Sequence, residues 1–214
     1  MVKITKSPLP IGALIKTESD YRSGDIFEIL ANDCHNKCYI CEDKPASINV
    51  EHLVSHRNEP TLKYGWDNLF ISCAHCNNIK GTRYDGIINP STCDPEDFIG
   101  LSVKISDDFI ESVCIDTFNQ GSSTLETAIL LGYVYNGGST DIKDIECANL
   151  RNEHLLPDIQ RFNQYIRGHI DEPELGYDAV IKKEISRTSK FAAFKRKIVR
   201  DDPRLSAIFA DALI

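Results

Sequence analysis

The stretch from residue 38 to residue 80 decides the fold, because it holds two cysteine pairs of the same spacing. The first pair lies in Cys38-Tyr-Ile-Cys41, and the second lies in Cys73-Ala-His-Cys76. Two thiolates separated by two residues can bind one metal ion from a tight turn, and two such turns complete a tetrahedron. We therefore predict one structural Zn²⁺ on these four cysteines. The alternative is two unrelated pairs of buried thiols.

A second group of polar residues lies between and beside the cysteines. Glu51 and His52 follow the segment Ile-Asn-Val at 48–50, Asn68 precedes Leu-Phe-Ile at 69–71, and Asn77 directly follows the last cysteine. This order resembles the HNH (ββα-metal) nucleases. Their pattern is an acid-His pair on a first strand, an Asn before a second strand, and a His or Asn that opens a helix after a cysteine pair. This chain is then an H-N-N variant.

The resemblance implies a role for each of these side chains. Phosphodiester hydrolysis needs a base that deprotonates water and a cation for the leaving oxygen. By resemblance His52 is the base, and Glu51 with Asn77 would bind one Mg²⁺ or Mn²⁺, whose preferred ligands are oxygens. Asn68 would hold the loop and orient His52. Asn77 touches the cysteine and fits the pattern better than Asn78, the alternative ligand.

Four basic residues near this segment are candidates for phosphate contacts. His56 and Arg57 lie in the loop between the two predicted strands. Lys80 and Arg83 are three residues apart and therefore share one face of the predicted helix after the site. The alternative for each is an ordinary solvated charge on a loop or helix.

Composition limits the class of protein. The chain has 214 residues and eight cysteines, and we find neither an N-terminal signal nor an apolar run of about 18 residues, which a membrane span needs. Several cysteines in a chain that shows no secretion signal indicate a reducing compartment, where thiols bind metals rather than form disulfides. We therefore expect a cytoplasmic protein with no membrane segment.

The charge distribution is unfavourable for a protein that captures DNA alone. The net charge is −8, and residues 91–181 carry 5 basic and 17 acidic groups. Residues 182–204 carry 9 basic and 3 acidic groups. Because affinity for nucleic acid depends on neutralising phosphates, we expect either a partner or this basic segment to bring the substrate. We also expect the free chain to cleave poorly.

The second half of the chain predicts one hairpin and several helices. Residues 101–105 and 112–117 alternate loosely and can pair as strands. Ser123 and Glu126 have the spacing of a capping box, which predicts a helix from there to Leu131. Apolar residues from Leu150 to Ile166 mark a helical face that we expect Pro157 to interrupt. A last helix at 191–198 carries the basic residues on its other side, where they are expected to be solvated or to contact nucleic acid or an acidic partner.

These features together are similar to one HNH subfamily, the nuclease subunit of Septu anti-phage systems and of related retron-associated proteins. The resemblance is firm to Pro95 and looser from there to about residue 200. It implies a hetero-oligomer with an ABC- or SMC-like ATPase that binds nucleotide and DNA and restrains the nuclease. The segments that carry it are Cys-Tyr-Ile-Cys-Glu at 38–42, Tyr-Gly-Trp-Asp-Asn-Leu at 64–69, Cys-Ala-His-Cys-Asn-Asn-Ile-Lys-Gly at 73–81, Glu-Thr-Ala-Ile-Leu-Leu-Gly at 126–132, Arg151 and Ser-Lys-Phe-Ala-Ala-Phe-Lys at 189–195.

We therefore predict an α+β chain in which a zinc-stapled ββα-metal module is followed by a mainly α-helical lobe. The expected divisions are an N-terminal arm and helix at 1–33, the module at 34–90, and a partner-binding lobe at 91–214. The expected activity is metal-dependent DNA cleavage within a two-component bacterial defence complex. The alternatives are a nuclease of the same chemistry that acts on RNA, and a non-catalytic zinc-stabilised adaptor that binds nucleic acid or the partner.

Overall fold

The computed structural model describes residues 1–9, 15–17, 21, 24–138 and 142–214. Part of the predicted N-terminal arm therefore lies outside the described residues. Helix α1 (Gly24–Asp33) confirms the helix expected before the first cysteine pair. The elements that follow are β1 (Asn49–His52), α2 (Pro60–Lys63), β2 (Leu69–Ser72), α3 (Ala74–Lys80), β3 (Ile99–Ser106), β4 (Phe109–Thr117), α4 (Ser122–Asn136), α5 (Ile142–Asp171), α6 (Asp178–Glu184), α7 (Ala192–Asp201) and α8 (Pro203–Ile208).

Strands β1 and β2 with helix α3 form a ββα unit around the cysteines. The two strands are antiparallel, with Glu51 opposite Phe70 and His52 opposite Leu69. All four residues of β2 are buried, because α1 packs against this strand. Helix α3 starts directly after β2 and packs against β1. The acid-His pair and the start of α3 are therefore held side by side.

The hairpin predicted in the second half is confirmed by β3 and β4, which pair antiparallel from Ile99 opposite Thr117. Helix α4 packs against β4, and α7 packs against β3. The predicted capping box of Ser123 and Glu126 is wrong, because α4 begins at Ser122 and its N-cap is Gly121, two residues before Ser123. The carboxylate of Glu126 instead accepts a hydrogen bond of 2.8 Å from the backbone N–H of Gly86, which follows the ββα unit.

Helix α5 is continuous through Pro157, where an interruption was expected. Proline removes one backbone donor and crowds the preceding turn, which usually kinks or ends a helix. Here the side chains on both sides of Pro157 are anchored in the core, since Leu155 and Ile159 have almost no exposed surface. Tertiary packing therefore outweighs the local preference of proline.

One hydrophobic cluster extends from Met1 to Phe194 and includes the four cysteines of the two pairs. A second cluster joins the end of α5 to α6, α7 and α8. The fold class is confirmed as α+β, with small antiparallel sheets, a four-cysteine cluster and a mainly helical second half. None of the helices in the described ranges combines the length and the apolar character that crossing a bilayer requires.

Candidate functional site

The four predicted metal ligands lie together. The sulfur atoms of Cys38, Cys41, Cys73 and Cys76 are all within 4.8 Å of one another, and that of Cys41 is 4.0 Å from that of Cys73. Tetrahedral zinc with Zn–S bonds of about 2.3 Å places its sulfurs about 3.8 Å apart. All four cysteines are buried, as a closed structural site requires. The cluster is therefore compatible with structural zinc.

The helical second half closes over this cluster. Arg151 on α5 is buried, and its Nη2 lies 4.0 Å from the sulfur of Cys73. A Zn²⁺ with four thiolates carries a net charge of −2, which a buried guanidinium partly neutralises. Tyr135 on α4 donates a hydrogen bond of 2.7 Å to the carbonyl of Cys41. The sequence analysis named Arg151 only as part of the resemblance and placed neither residue beside the cysteines, because both are distant along the chain and match no spacing rule.

The thiols perturb one another strongly. Burial raises the pKa of Cys38 and of Cys76 well above the usual range. A hydrogen bond from Cys38 is the largest cause that lowers the pKa of Cys41, to about 7. Hydrogen bonds from Cys38, Cys41 and Cys76 hold the pKa of the Cys73 thiol far below its usual value. The sulfur of Cys73, which lies beside Arg151, therefore favours the thiolate form that binds a metal ion.

His52, at the end of β1, is fixed by a backbone carbonyl. Its ring nitrogen Nε2 is 2.9 Å from the carbonyl oxygen of Lys63 at the end of α2. Because a carbonyl can only accept, Nε2 carries the hydrogen, and Nδ1 is the proton acceptor of the neutral ring. The ring of His56 meets that of His52 edge-on, with 4.8 Å between centroids. The two histidines therefore form one pair at this end of the strand.

Asn68 holds both ends of the loop between His52 and β2. Its Oδ1 accepts from the N–H of Val54 at 2.8 Å, and its Nδ2 donates to the carbonyls of Val54 and Leu62, each at 2.8 Å. Leu62 precedes Lys63, whose carbonyl is bonded to His52. The amide of Asn68 therefore fixes the peptide segment that orients the histidine, one step removed from direct contact.

Glu51 is buried beside a buried ammonium group. Its Oε1 lies 3.1 Å from Nζ of Lys80, whose side chain has 0% exposed surface. Burial raises the pKa of Glu51, and the charge of Lys80 opposes that rise. Lys80 also lies 3.9 Å from Oδ1 of Asp85. Lys80 was expected on a solvated helix face or in contact with a phosphate. It is instead buried, and it reaches neither solvent nor the surface in this structure.

Asp85 is a member of this charged group that sequence reasoning missed. It accepts from the N–H of Ser55 at 2.8 Å and from its hydroxyl at 2.6 Å, and Arg57 lies 3.4 Å from its other oxygen. These hydrogen bonds help to hold the pKa of Asp85 below its usual value, against the effect of burial. Asp85 therefore connects Lys80 to the loop that follows His52. An acid five residues after a lysine gives no recognisable signal in the sequence.

Asn77 lies one helical turn before Lys80 on α3 and is half-buried, whereas Asn78 is exposed. Asn77 lines an open cleft of about 350 Å³ together with Phe27 and the residues of β1 and its approach, 48–50. Residues three apart share a helix face. Asn77 therefore lies on the side of α3 that faces β1, and it shares a helix face with Lys80.

The other predicted phosphate contacts lie at the edge of the site. The side chain of Arg57 is 73% exposed, and His56 is half-buried and accepts a hydrogen bond of 2.9 Å from the N–H of Asn58. Arg83 is exposed and lies beside Tyr84, 5.8 Å from its ring centroid. These three side chains border the site without joining the Glu51–Lys80 pair.

The basic helix α7 is largely internal, which corrects the expected solvated face. Lys195 is buried between Asp158, at 2.5 Å, and Glu184. Arg196 is buried against Glu96 at 2.7 Å, and Glu96 also pairs with Arg200. The positive charge of this helix therefore neutralises acids of the same chain. The helical periodicity of the sequence predicted that the basic residues lie on the face opposite Phe194. It could not predict that other elements cover that face.

The comparison with known proteins gives one partial relative. Over 74 residues the chain is 36% identical to the Septu protein PtuB of Bacillus thuringiensis, a match that covers 31% of this chain and 29% of the relative. The chain is therefore homologous to PtuB over that segment, which confirms the resemblance to the Septu group. The match spans less than a third of the relative's length. No protein-family model and no solved structure matches the chain.

Proposed function

We propose that this chain is a divalent-metal-dependent HNH endonuclease that hydrolyses DNA phosphodiester bonds. The observation that carries the proposal is the ββα unit, in which Glu51 and His52 end β1 and Asn77 lies on the helix packed against that strand. The partial homology to a Septu protein supports the same assignment. Zinc on the four cysteines would hold this unit together without touching substrate.

His52 is the general base in this proposal. Because Nε2 donates to the carbonyl of Lys63, Nδ1 would accept the proton of the attacking water. The unperturbed pKa of histidine lies near neutral pH, which suits a group that must accept a proton there. Asn68 keeps the ring in one orientation through Leu62 and Lys63. The role of Asn68 is therefore positional.

Glu51 and Asn77 are the proposed ligands of the catalytic cation. A carboxylate and an amide oxygen on adjacent elements suit Mg²⁺ or Mn²⁺, and the open cleft beside Asn77 leaves room for water and a phosphate. When bound, the cation would stabilise negative charge on the leaving oxygen. Asn77 is half-buried and lines the cleft, whereas Asn78 is exposed, which favours Asn77 as the ligand.

His56, Arg57 and Arg83 are the proposed phosphate contacts, because they border the site and carry or can carry positive charge. Lys80 would act on the phosphate only through Glu51 and the metal site. Three basic side chains can neutralise only a few phosphates, so they contribute little affinity for nucleic acid. The site would therefore hold a phosphodiester that has been delivered to it.

The charge of the molecule favours delivery by a partner subunit. The net charge is −8, and the basic residues of α7 are paired with internal acids. We infer that the nuclease works in the cytoplasm as part of a hetero-oligomer of a two-component anti-phage system. The partner proposed is an ATPase of the ABC or SMC-like kind that binds DNA.

The test is cleavage of plasmid DNA by the purified chain with Mg²⁺ or Mn²⁺, with and without the proposed ATPase subunit. His52→Ala should abolish cleavage, and His154→Ala, which changes a mostly exposed histidine on α5, serves as the matched control. Cleavage that survives in His52→Ala would contradict the base assignment. Each variant is checked for zinc content and for its far-ultraviolet circular dichroism.

A parallel assay with structured and single-stranded RNA separates the substrate classes. Cleavage of RNA with no cleavage of DNA would replace DNA by RNA as the substrate and keep the same chemistry. If the wild-type chain with its partner cleaves neither polymer, the endonuclease assignment fails. The remaining reading would be a zinc-stabilised adaptor.

A further inference from the structure

The buried ammonium of Lys80 is the least expected charge in the nuclease unit. Its side chain has 0% exposed surface, and burial of an ammonium is costly unless carboxylates pair with it. Two carboxylates approach it, with Oε1 of Glu51 at 3.1 Å and Oδ1 of Asp85 at 3.9 Å. Lys80 is therefore an internal member of the site, held between two carboxylates.

The two carboxylates are not equivalent. Asp85 is already bound by the N–H and the hydroxyl of Ser55 and has Arg57 beside its other oxygen. Glu51 has its close ion pair with Lys80 and is itself buried. Lys80 is therefore the cation that fixes the position of the Glu51 carboxylate.

A divalent cation on Glu51 would have to share that carboxylate with Lys80. Metal–oxygen bonds of about 2.0–2.6 Å would bring the cation within a few ångströms of the ammonium. Two positive charges that close repel each other strongly in a partly buried site. The other proposed ligand, Asn77, is neutral and adds no charge to offset this repulsion. Affinity for divalent ions falls as the number of charged ligands falls.

We propose that Lys80 sets the affinity of the nuclease site for its divalent cation. As a positioning residue, it holds the carboxylate of Glu51 in place before the cation binds, and it then competes with the cation for the same carboxylate. The inference rests on the proposed function, because it takes Glu51 as a metal ligand. It predicts weak binding of divalent ions by the wild-type chain.

The test is a calorimetric titration of the zinc-loaded full chain with Mn²⁺. Lys80→Gln keeps a hydrogen-bond donor near Glu51 and removes the charge, so the Kd for Mn²⁺ should fall about tenfold or more. Lys80→Met is the second neutral variant, in case glutamine disturbs folding. Lys80→Arg keeps the charge and should bind Mn²⁺ as weakly as wild type. Lys183→Gln removes one positive charge from an exposed position on α6, outside the site, and should leave the Kd unchanged.

The Glu51→Gln variant separates this inference from the proposed function. If Glu51→Gln weakens Mn²⁺ binding while the neutral Lys80 variants bind as wild type or more weakly, competition by Lys80 is rejected and the metal site stands. If Glu51→Gln binds Mn²⁺ as wild type does, the metal assignment fails and this inference fails with it. Tighter binding in a folded neutral Lys80 variant, lost again in the double variant with Glu51→Gln, supports it.

Discussion

The ring nitrogen Nε2 of His52 lies 2.9 Å from the carbonyl oxygen of Lys63, and this contact fixes which nitrogen of the ring can act as a base. The carbonyl requires a hydrogen on Nε2, so the proton acceptor is Nδ1. The peptide that carries this carbonyl is held by Asn68, which donates to the neighbouring carbonyl of Leu62. The proposed base therefore depends on a loop and on the amide that closes it.

Asn68→Ala should reduce both stability and cleavage. The substitution removes hydrogen bonds to the N–H and carbonyl of Val54 and to the carbonyl of Leu62. Net contributions of about 1 kcal/mol per bond predict a loss of roughly 2–3 kcal/mol in the free energy of unfolding. Urea unfolding measures the stability, and the cleavage rate should fall while zinc content stays the same. A variant with wild-type stability would contradict the loop-closing role of Asn68.

Asn77→Ala and Asn78→Ala should separate the two candidate metal ligands. Asn77 lines the cleft beside β1, whereas Asn78 is exposed on the same helix. Loss of one oxygen ligand should raise the Mn²⁺ concentration needed for half-maximal cleavage by about tenfold or more in Asn77→Ala. Asn78→Ala should leave it unchanged and is the matched control. The reverse result would transfer the ligand role to Asn78.

The zinc cluster could be predicted from the spacing of the cysteines, and the ββα order from the resemblance to the HNH nucleases. Two residues between cysteines restrict the backbone to a tight turn, and the four sulfurs meet as expected. Alternation of apolar residues likewise predicted the pairing of β3 with β4. The spacing within each cysteine pair and the alternation along each strand are both set by residues that are close together in the sequence.

The features that were wrong or missed depend on contacts between distant segments. Glu126 was expected to cap its own helix, but its carboxylate binds Gly86 instead. Lys195 was expected on a solvated face, but Asp158 and Glu184 come from two other helices to surround it. The association of Asp85 with Lys80 has no counterpart in any short motif. Periodicity predicts the face of a helix on which a residue lies, and not what covers that face.

Loss of one cysteine of the cluster should unfold the ββα unit. Cys38→Ser removes one of the four clustered cysteines, and structural zinc sites contribute on the order of 10 kcal/mol to folding. The wild-type chain should contain about one zinc per molecule, and the variant should lose both zinc and its cooperative thermal transition. Cys114→Ser changes an exposed cysteine on β4 and is the control. A metal-free wild-type chain that remains folded would reject the structural zinc.

Lys195→Met should destabilise the protein more than any comparable change of a surface lysine. The side chain of Lys195 is buried, and its removal leaves Asp158 and Glu184 without their shared cation. Breaking a buried pair from one side costs about 3–5 kcal/mol, because the remaining charge is buried without compensation. Lys183→Met makes the same chemical change at an exposed position on α6 and should alter stability by less than about 0.5 kcal/mol.

Urea unfolding of both variants, followed by circular dichroism, gives the comparison. If Lys195 were instead a surface contact for nucleic acid, Lys195→Met would match Lys183→Met in stability and would lower the affinity of the assembled complex for DNA. The internal pairing predicts the opposite pattern, with a large loss of stability in Lys195→Met alone. The double variant Lys195→Met with Asp158→Asn should recover part of that loss, since it removes one of the two uncompensated charges.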